Sequence, residues 1–243
     1  MYDQTLGTIE PSNTDLERDA TPDSEDMLAL LSSDDPEQQT IAARAFGNLS
    51  DDRAIAPLIA LLESSSPETR VSAAYALGRN TSPDAIDPLI RCLSDGDSDV
   101  RKGAVWALGN CGDLRALMPL VETLRDDSVA VRLWSASSLG QLAKVGYDFA
   151  VAAVPPLLVG LRTDPVAAVR SNCAWSLGQL CRELPSNVVY AGAIDGLLDA
   201  FEEDEDVGVR QDARSSLLRV GDPRGMQAIE DAENDELEDG SWP

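Results

Sequence analysis

One motif is written six times between about residues 34 and 232, and this repetition constrains the fold more than any other feature of the chain. Three arginines, Arg70, Arg101 and Arg132, stand 31 residues apart. The sequences that begin at these arginines are similar: RVSAAYALGRN, RKGAVWALGN and RLWSASSLGQL. Arg170 begins a fourth similar sequence, RSNCAWSLGQL. Gln39 opens the first copy and Arg210 a degenerate sixth. A fixed period of about 20–50 residues is typical of solenoids and propellers, so stacked similar units are predicted.

Each copy contains two apolar segments. The first is short, as in AIAPLIALL from Ala54 and AIDPLIRCL from Ala85. The second starts near the arginine and ends just past a glycine. Apolar residues recur at helical spacing in both, so each unit is predicted to be a helix pair. Asp35–Pro36, Ser66–Pro67 and Asp164–Pro165 place a capping side chain before a proline suited to the first helical turn.

Two features of the spacing bear on how the units stack. The distance between arginines grows to 38 and 40 residues after Arg132, which predicts longer loops around residues 146–151 and 185–192.

A glycine stands eight residues after the opening residue in five copies. Because glycine inside a helix costs about 1 kcal/mol relative to alanine, we expect a close approach between helices there. These glycines are Gly47, Gly78, Gly109, Gly140 and Gly178.

The recurring text AAxALGxL, AIxPLxxxL and D…VR resembles the HEAT-like repeats of the phycobilisome-lyase type over roughly residues 27–232. The resemblance implies an all-α, HEAT-like α–α superhelix of about six helix pairs, with the second helices lining its concave face. The predicted domain is residues 24–232. Residues 1–23 are predicted to be a disordered acidic tail, and residues 233–243 a second acidic tail.

The same resemblance implies a ladder of Asp and Arg residues that braces one repeat against the next. Four aspartates each lie six residues before an arginine, which fits such a ladder. Ser33 and Ser64 replace the aspartate in the early copies, so the ladder is expected to be weaker there. An anion site is the alternative role of the arginines. The ladder residues are Asp95, Arg101, Asp126, Arg132, Asp164, Arg170, Asp204 and Arg210.

The charge balance is strongly acidic. The chain has 43 acidic and 19 basic residues, a net charge of −24, and only two lysines, Lys102 and Lys144. Many aspartates with few lysines resemble the composition of proteins from extreme halophiles, so a halophilic archaeon is the expected source. Neither an apolar run of about 18 residues nor a signal-peptide pattern occurs, which favours a cytoplasmic protein without membrane contact.

Several chemistries are disfavoured. The absence of histidine removes the commonest general base and metal ligand, and no phosphate-binding loop occurs. Cys92, Cys111, Cys173 and Cys181 form no CxxC pair and are interpreted as small buried apolar residues. We therefore expect no catalytic residue, no metal and no cofactor. A bilin-lyase-like enzyme or cofactor chaperone stays open because the resemblance includes such proteins.

The second helices carry an unusual surface. When each is numbered from its arginine (Gln39 in the first copy), positions −1, +3, +7 and +10 form the predicted core stripe. Positions +1, +2, +5 and +9 lie opposite, and we call them the inner strip. In the first five copies no Asp or Glu occupies these positions, and three of the four tryptophans do. The predicted partner-binding residues are Arg44, Tyr75, Arg79, Lys102, Trp106, Asn110, Trp134, Gln141, Asn172, Trp175 and Gln179.

Aromatic and amide side chains without acids are the composition of a protein-binding hot spot. We therefore expect a non-enzymatic scaffold that holds a helix or extended segment of another protein, in taxis signalling by family resemblance. The alternative is that the large side chains only pack on neighbouring repeats. Nucleic acid is disfavoured as a partner, because Arg44, Arg79 and Lys102 are too few cations for a phosphate backbone.

The charge balance makes stability testable against salt. We expect the melting temperature to rise when KCl is increased from tenths molar to molar, because mutual repulsion of the acids is screened as the Debye length falls to about 3 Å. Thermal unfolding followed by circular dichroism measures this. A melting temperature that stays constant or falls would contradict the halophilic interpretation.

Overall fold

The computed structural model describes residues 22–238, which are almost entirely helical and contain no strand. The predicted all-α repeat fold is confirmed. The helices are α1 (Ser24–Leu31), α2 (Pro36–Ala45), α3 (Ile55–Leu61), α4 (Pro67–Arg79), α5 (Ile86–Cys92), α6 (Ser98–Cys111), α7 (Leu117–Asp126), α8 (Val129–Gln141), α9 (Tyr147–Thr163), α10 (Ala167–Cys181), α11 (Val188–Glu203), α12 (Val207–Val220) and α13 (Pro223–Glu238).

The first twelve helices form six pairs, and α13 follows without a pair among the described residues. Short 3₁₀ turns at Asp52–Ala54, Pro83–Ala85 and Leu114–Ala116 lead into the first helices α3, α5 and α7. The second helices α2, α4, α6, α8, α10 and α12 pack on each other in chain order. They form the inner layer of the solenoid, and the first helices form the outer layer.

Capping side chains start most of the second helices. Asp35 and Ser66 accept hydrogen bonds from the N–H groups of Glu37 and Thr69, as predicted. The predicted cap at Asp164 is wrong. Helix α10 begins at Ala167 after Val166, and the Asp164 carboxylate instead accepts the Val166 N–H and pairs with an arginine of the preceding repeat.

The two predicted loop insertions are helical, so that prediction is wrong. Residues 146–151 mostly belong to the start of α9, and residues 185–192 mostly to the start of α11. Both helices run further toward their N-termini than α3 and α5. Pro155 and Pro156 consequently lie inside α9, whereas Pro57 and Pro88 lie in the first turns of α3 and α5.

The core lies between the two layers. Positions −1, +3 and +7 of α6 and α8 are fully buried, as in Val100, Leu108 and Leu139, which confirms the predicted core stripe. Position +10 of α6, Cys111, is only half-buried.

Glycine at position +8 lets successive second helices touch, as predicted. A methyl group at Gly109 would lie 2.6 Å from Oγ of Ser138, and one at Gly78 would lie 2.8 Å from Cα of Ala107. Gly140 and Gly178 face Ser176 and Ser216 in the same way, but Gly47 meets only its own helix. Consecutive first helices approach each other less closely than consecutive second helices. Closer spacing on one side curves the array toward that side, so the second helices line the concave face.

The predicted tails fall mostly outside the described residues. Asp23 caps α1 through a hydrogen bond from the Glu25 N–H, so the ordered start includes it. Helix α13 ends at Glu238, so the helical array extends beyond the predicted boundary at residue 232. Residues 1–21 and 239–243 are not described.

The close approach at position +8 is testable by substitution. We expect Gly109→Leu to lower the free energy of unfolding by about 1–3 kcal/mol, because the new side chain meets Ser138 of the next helix. Gly192 in α11 is a matched control, since a methyl group there meets nothing within 4 Å. Gly192→Ala should be neutral or stabilising by up to about 1 kcal/mol. Equal urea-unfolding curves for both variants would contradict the contact.

Candidate partner-binding groove

An arginine ladder fixes the second helices relative to one another. Arg70, Arg101, Arg132 and Arg170 each reach across to a carboxylate that precedes the second helix of the next repeat. The guanidinium of each also donates to a backbone carbonyl of its own repeat, as Arg101 does to the Asp95 oxygen at 2.8 Å. The prediction for Arg210 is wrong, because within the described residues it donates only to the Asp204 and Glu205 carbonyls of its own repeat. The four bridges are Arg70–Asp95 at 2.7 Å, Arg101–Asp127 at 2.7 Å, Arg132–Asp164 at 2.7 Å and Arg170–Asp204 at 2.8 Å.

The carboxylate that receives Arg101 belongs to Asp127, which corrects the assignment of this place to Asp126. Helix α7 is longer than α5 and ends at Asp126, so the extended residue that follows it is Asp127. The side chain of Asp126 lies outside the described ones. Asp127 is one residue nearer to its own arginine than the other ladder aspartates, so a count of six residues missed it.

Burial makes these bridges more costly to break than surface ion pairs, because a lone charge would be left without water or a partner. The side chains of Arg132 and Asp164 are 13% and 6% exposed. Burial alone would raise the pKa of Asp164, but hydrogen bonds from Arg132 and from the Val166 N–H outweigh it and hold the pKa below its ordinary value. A hydrogen bond from Arg70 likewise lowers the pKa of Asp95. The carboxylates are therefore stabilised in the charged form.

The ladder changes at the N-terminal end. Repeat one has Gln39 in place of the arginine, and its side-chain amide donates to the Ser33 carbonyl. Repeat two has Ser64 in place of the aspartate, and only its backbone carbonyl accepts from Arg70. The hydroxyls of Thr40 and Thr69 meet at 2.7 Å instead. Neutral groups thus replace the ion pair between repeats one and two, in agreement with the prediction that the ladder is weaker there.

A second set of ion pairs, missed in the sequence, joins the first helices. An Asp-x-Arg pattern that leads into α3, α7 and α13 supplies it, since each arginine binds its neighbouring aspartate and an acid of the preceding first helix. These side chains are largely exposed, so each pair contributes only about 0–1 kcal/mol. The cross-links are Arg53–Glu25 at 2.9 Å, Arg115–Asp87 at 3.0 Å and Arg224–Asp195 at 2.5 Å.

The inner strip is open to solvent in part. Position +2 faces the preceding helix, and the small Ser72 and Gly103 are buried there, whereas the larger Trp134 and Asn172 are half-buried. Positions +5 and +9 face outward from the stack. All eleven predicted partner-binding residues are half-buried or exposed. Arg44, Arg79, Asn110 and Gln141 are exposed, and Tyr75, Lys102, Trp106, Trp134, Asn172, Trp175 and Gln179 are half-buried.

The four aromatic residues of the strip differ in what they touch. Trp106 leans over Gly78 of the preceding helix, and its ring centre lies 5.2 Å from that of Tyr75. Trp106 and Trp134 pack against the apolar core, whereas Tyr75 and Trp175 are not among the described side chains that do. Packing and exposure are thus combined in Trp106, while Trp175 is equally half-buried but is not among the described side chains that pack on the core.

The strip lines a groove of about 620 Å³ over the first three repeats. Tyr75, Arg44 and Lys102 line it together with Glu68 and Asp99, which the positions of the inner strip had excluded. Arg44 pairs with Glu68, and Lys102 Nζ lies 2.6 Å from Asp99 Oδ1. The groove is therefore not free of acids here, and its cations are already neutralised.

The strip of repeats four and five differs from this. It contains no charged side chain, and we call it the neutral half: Leu133, Trp134, Ser137, Gln141, Ser171, Asn172, Trp175 and Gln179. Asn172 donates to the Leu133 carbonyl across the helix contact. At the positions that correspond to Glu68 and Asp99, repeats four and five have Ala130 and Ala168.

A family model for HEAT repeats matches residues 24–108 and 86–178, which together make up more than half of the chain. The chain belongs to the HEAT-repeat proteins. A comparison with the curated proteins finds no match.

Solved structures resemble this HEAT-repeat array at low identity, which shows the fold alone. A designed armadillo repeat protein in complex with the peptide (KR)4 has a TM-score of 0.65 and 21% identity, covering 82% of this chain and 100% of that one. The CpcE–CpcF complex of phycocyanin lyase from Nostoc sp. PCC7120 has a TM-score of 0.61 and 23% identity, covering 93% of this chain and 85% of that one.

The cysteines of the HEAT-repeat array are free. Burial raises the pKa of Cys92 and Cys111 to about 11 and that of Cys181 to about 12. A thiol with a raised pKa is a poor nucleophile, which fits the interpretation of these residues as packing groups. No helix among the described residues is long and apolar enough to cross a membrane.

Removing one ladder arginine should be costly. Arg132→Met leaves the Asp164 carboxylate buried without its partner, and we expect a loss of about 3 kcal/mol in the free energy of unfolding at pH 7. Arg162→Met removes an exposed pair with Asp199 and should cost about 0–1 kcal/mol. Urea unfolding of both variants measures the difference.

The ladder also predicts a pH dependence. Because the pKa of Asp164 is lowered in the folded state, its stabilisation is present above the unfolded pKa of about 3.9 and is lost as the pH falls through the lower folded value. The gap in stability between the wild-type protein and Arg132→Met should therefore narrow below about pH 4. A gap that stays constant down to pH 2.5–3, roughly one unit below that pKa, would contradict this account.

Proposed function

We propose that this protein is a non-enzymatic adaptor that holds an extended segment or helix of another protein against the inner strip. The observation that carries the proposal is the alignment of aromatic and amide side chains on the concave face. Trp106 and Trp175 stand at position +5 of α6 and α10, and neither is fully buried. Indole rings that are partly exposed in a groove are the usual anchors of protein interfaces.

A row of amides favours an extended segment over a helix. Asn110, Gln141 and Gln179 occupy position +9 of three successive second helices. Side-chain amides donate and accept hydrogen bonds, and none of these three makes one within residues 22–238. An extended segment leaves its backbone N–H and carbonyl groups free along its length, whereas a helix satisfies them internally. A row of amides repeated once per helix pair therefore suits a segment that crosses the helices.

The comparisons add limited support. A structural neighbour of this chain, the designed armadillo protein, is in complex with a peptide. For this chain the finer assignments are proposals: a role in taxis signalling, a cytoplasmic location and a halophilic archaeal source. The charge of −24 supports the last of these, because a hydrated acidic surface suits molar salt.

A second candidate function is that of a bilin-lyase-like protein or cofactor chaperone. The likeness to the CpcE–CpcF complex of phycocyanin lyase favours it. Titration of the protein with a linear tetrapyrrole, followed by absorbance, separates the two. A saturable spectral change that is lost in Trp175→Ala would favour the chaperone, and no change would favour the adaptor.

The different contacts of two tryptophans give a sharper test. The partner is first isolated by pull-down in molar KCl and purified. Trp175→Ala should then weaken the binding of that partner by about 2 kcal/mol, with little change in the melting temperature of the variant. Trp106→Ala should also cost about 3–5 kcal/mol of stability, because Trp106 packs on Gly78, Tyr75 and the core.

Isothermal calorimetry and thermal melting on the same variants measure both effects. Leu218→Ala is the control, since Leu218 is 41% exposed on α12, outside the strip. Unchanged affinity in Trp106→Ala and Trp175→Ala alike would contradict the adaptor proposal.

A further inference from the structure

The inner strip divides into two halves of different chemistry, and this division points to the partner. In repeats one to three, cations and acids face the groove together. In the neutral half, eight successive strip positions carry no ionisable side chain. A chain in which 26% of the residues are charged has few such surfaces. The change is sharp, since Ala130 and Ala168 take the places of Glu68 and Asp99.

The charged half offers little to a charged partner. Lys102 Nζ lies 2.6 Å from Asp99 Oδ1, and Arg44 is paired with Glu68. The third cation, Arg79, donates from Nε to the Gly47 carbonyl at 3.3 Å. Each strip cation therefore already has an oxygen partner within the protein. An acidic segment would have to displace these contacts and would also be repelled by the net charge of −24.

A basic segment would be attracted mainly at long range. That attraction comes from the charge of the whole chain and reaches only about 3 Å in molar salt. The strip positions of the neutral half carry no carboxylate for such a segment to pair with, and the next acid at a strip position is Asp212 in repeat six. A lysine or arginine at Trp134 or Trp175 would gain only stacking on an indole face, because no strip position of the neutral half supplies a carboxylate to replace its water.

We infer that the neutral half of the inner strip binds an extended peptide segment without charged side chains, and that this binding persists in molar salt. The inference rests on the proposed function. Large apolar side chains of the segment contact Trp134 and Trp175. The free amides of Gln141 and Gln179 meet its backbone, while the Asn172 amide N–H is already used within the repeat stack. Contacts between apolar groups and neutral hydrogen bonds are not screened by salt, unlike ion pairs.

The experiment uses the full chain and a displayed random peptide library. One selection is made in about 2 M KCl, and a second at the lowest KCl concentration at which circular dichroism shows that the protein is folded. The peptide (KR)4 is the basic probe. We expect uncharged, apolar peptides from both selections, with dissociation constants that differ less than about 3-fold between the two salt concentrations. We expect (KR)4 to bind only at low salt.

Two matched variants locate the site. Trp175→Ala should weaken the selected peptides by about 30-fold, the equivalent of a hot-spot residue. The double variant Glu68→Gln/Asp99→Asn, which neutralises two of the three acids that line the charged half, should change their affinity less than about 3-fold. Circular dichroism of each variant verifies that it is folded. If Trp175→Ala unfolds, the affinity of the selected peptides for Gln179→Ala tests the neutral half instead.

The outcomes separate this inference from the proposed function. Basic peptides that weaken sharply with salt and with Glu68→Gln/Asp99→Asn, but not with Trp175→Ala, would overturn the inference and leave the adaptor proposal standing. Peptides that respond to neither variant, or a library that yields no binder, would overturn both. Uncharged peptides that respond to Trp175→Ala or Gln179→Ala alone would support both.

Discussion

The contact between successive second helices, made possible by a glycine and a small residue opposite it, underlies the rest of this structure. Gly109 meets Ser138, and Gly140 meets Ser176, at distances that exclude any side chain at the glycine. The serines also donate to backbone carbonyls of the preceding helix, Ser138 to Val105 and Ser176 to Ala136. Each repeat therefore touches its neighbour through backbone as well as side chains, which brings the inner helices closer than the outer ones and curves the array.

The arginine ladder depends on this stacking and fixes the angle between consecutive repeats. A guanidinium has a fixed set of donors, so Arg132 can bind the Asp164 carboxylate and the Asp127 carbonyl only when consecutive repeats stand at one angle. The bridges lie at the starts of the second helices, while the small-residue contacts lie toward their ends. Two contacts at separate places on each helix fix its rotation as well as its distance. In a solenoid each repeat touches only its neighbours, so such a local angle is copied along the chain.

Features that depend on residue identity at a fixed offset could be predicted from the sequence. The helix pairs, the core stripe and the close approach at position +8 follow from period and residue size alone. Features that depend on helix length could not. The aspartate that pairs with Arg101 is Asp127 because α7 runs further than α5, and the insertions after Arg132 are helical because α9 and α11 extend toward their N-termini.

The candidate site shows the same division in finer detail. A helical wheel places positions +1, +2, +5 and +9 on one face, but it contains no neighbouring helix. Stacking buries the small residues at position +2 but covers Trp134 and Asn172 there only in part, and positions +5 and +9 stay half-buried or exposed, so the width of the strip depends on residue size as well as on helical phase. The wheel also excluded Glu68 and Asp99, which reach the groove from the first turns of α4 and α6. Trp106 packs on Gly78, which belongs to the preceding repeat. The sequence of α6 alone therefore could not predict how much of the Trp106 side chain is exposed.

The inner strip is thus a consequence of how the repeats stack rather than a separate addition to them. The small residues that allow contact at positions +6 and +8 leave no room for large side chains there, so the tryptophans stand at the flanking positions +2 and +5. An acid on these positions would add to the mutual repulsion in a chain of charge −24. The strip positions of the first five repeats carry none, although Glu68 and Asp99 reach the groove from the first turns of α4 and α6. In repeats four and five alanines replace those two acids, so the aromatic and amide residues that flank the helix contacts form a continuous neutral surface there.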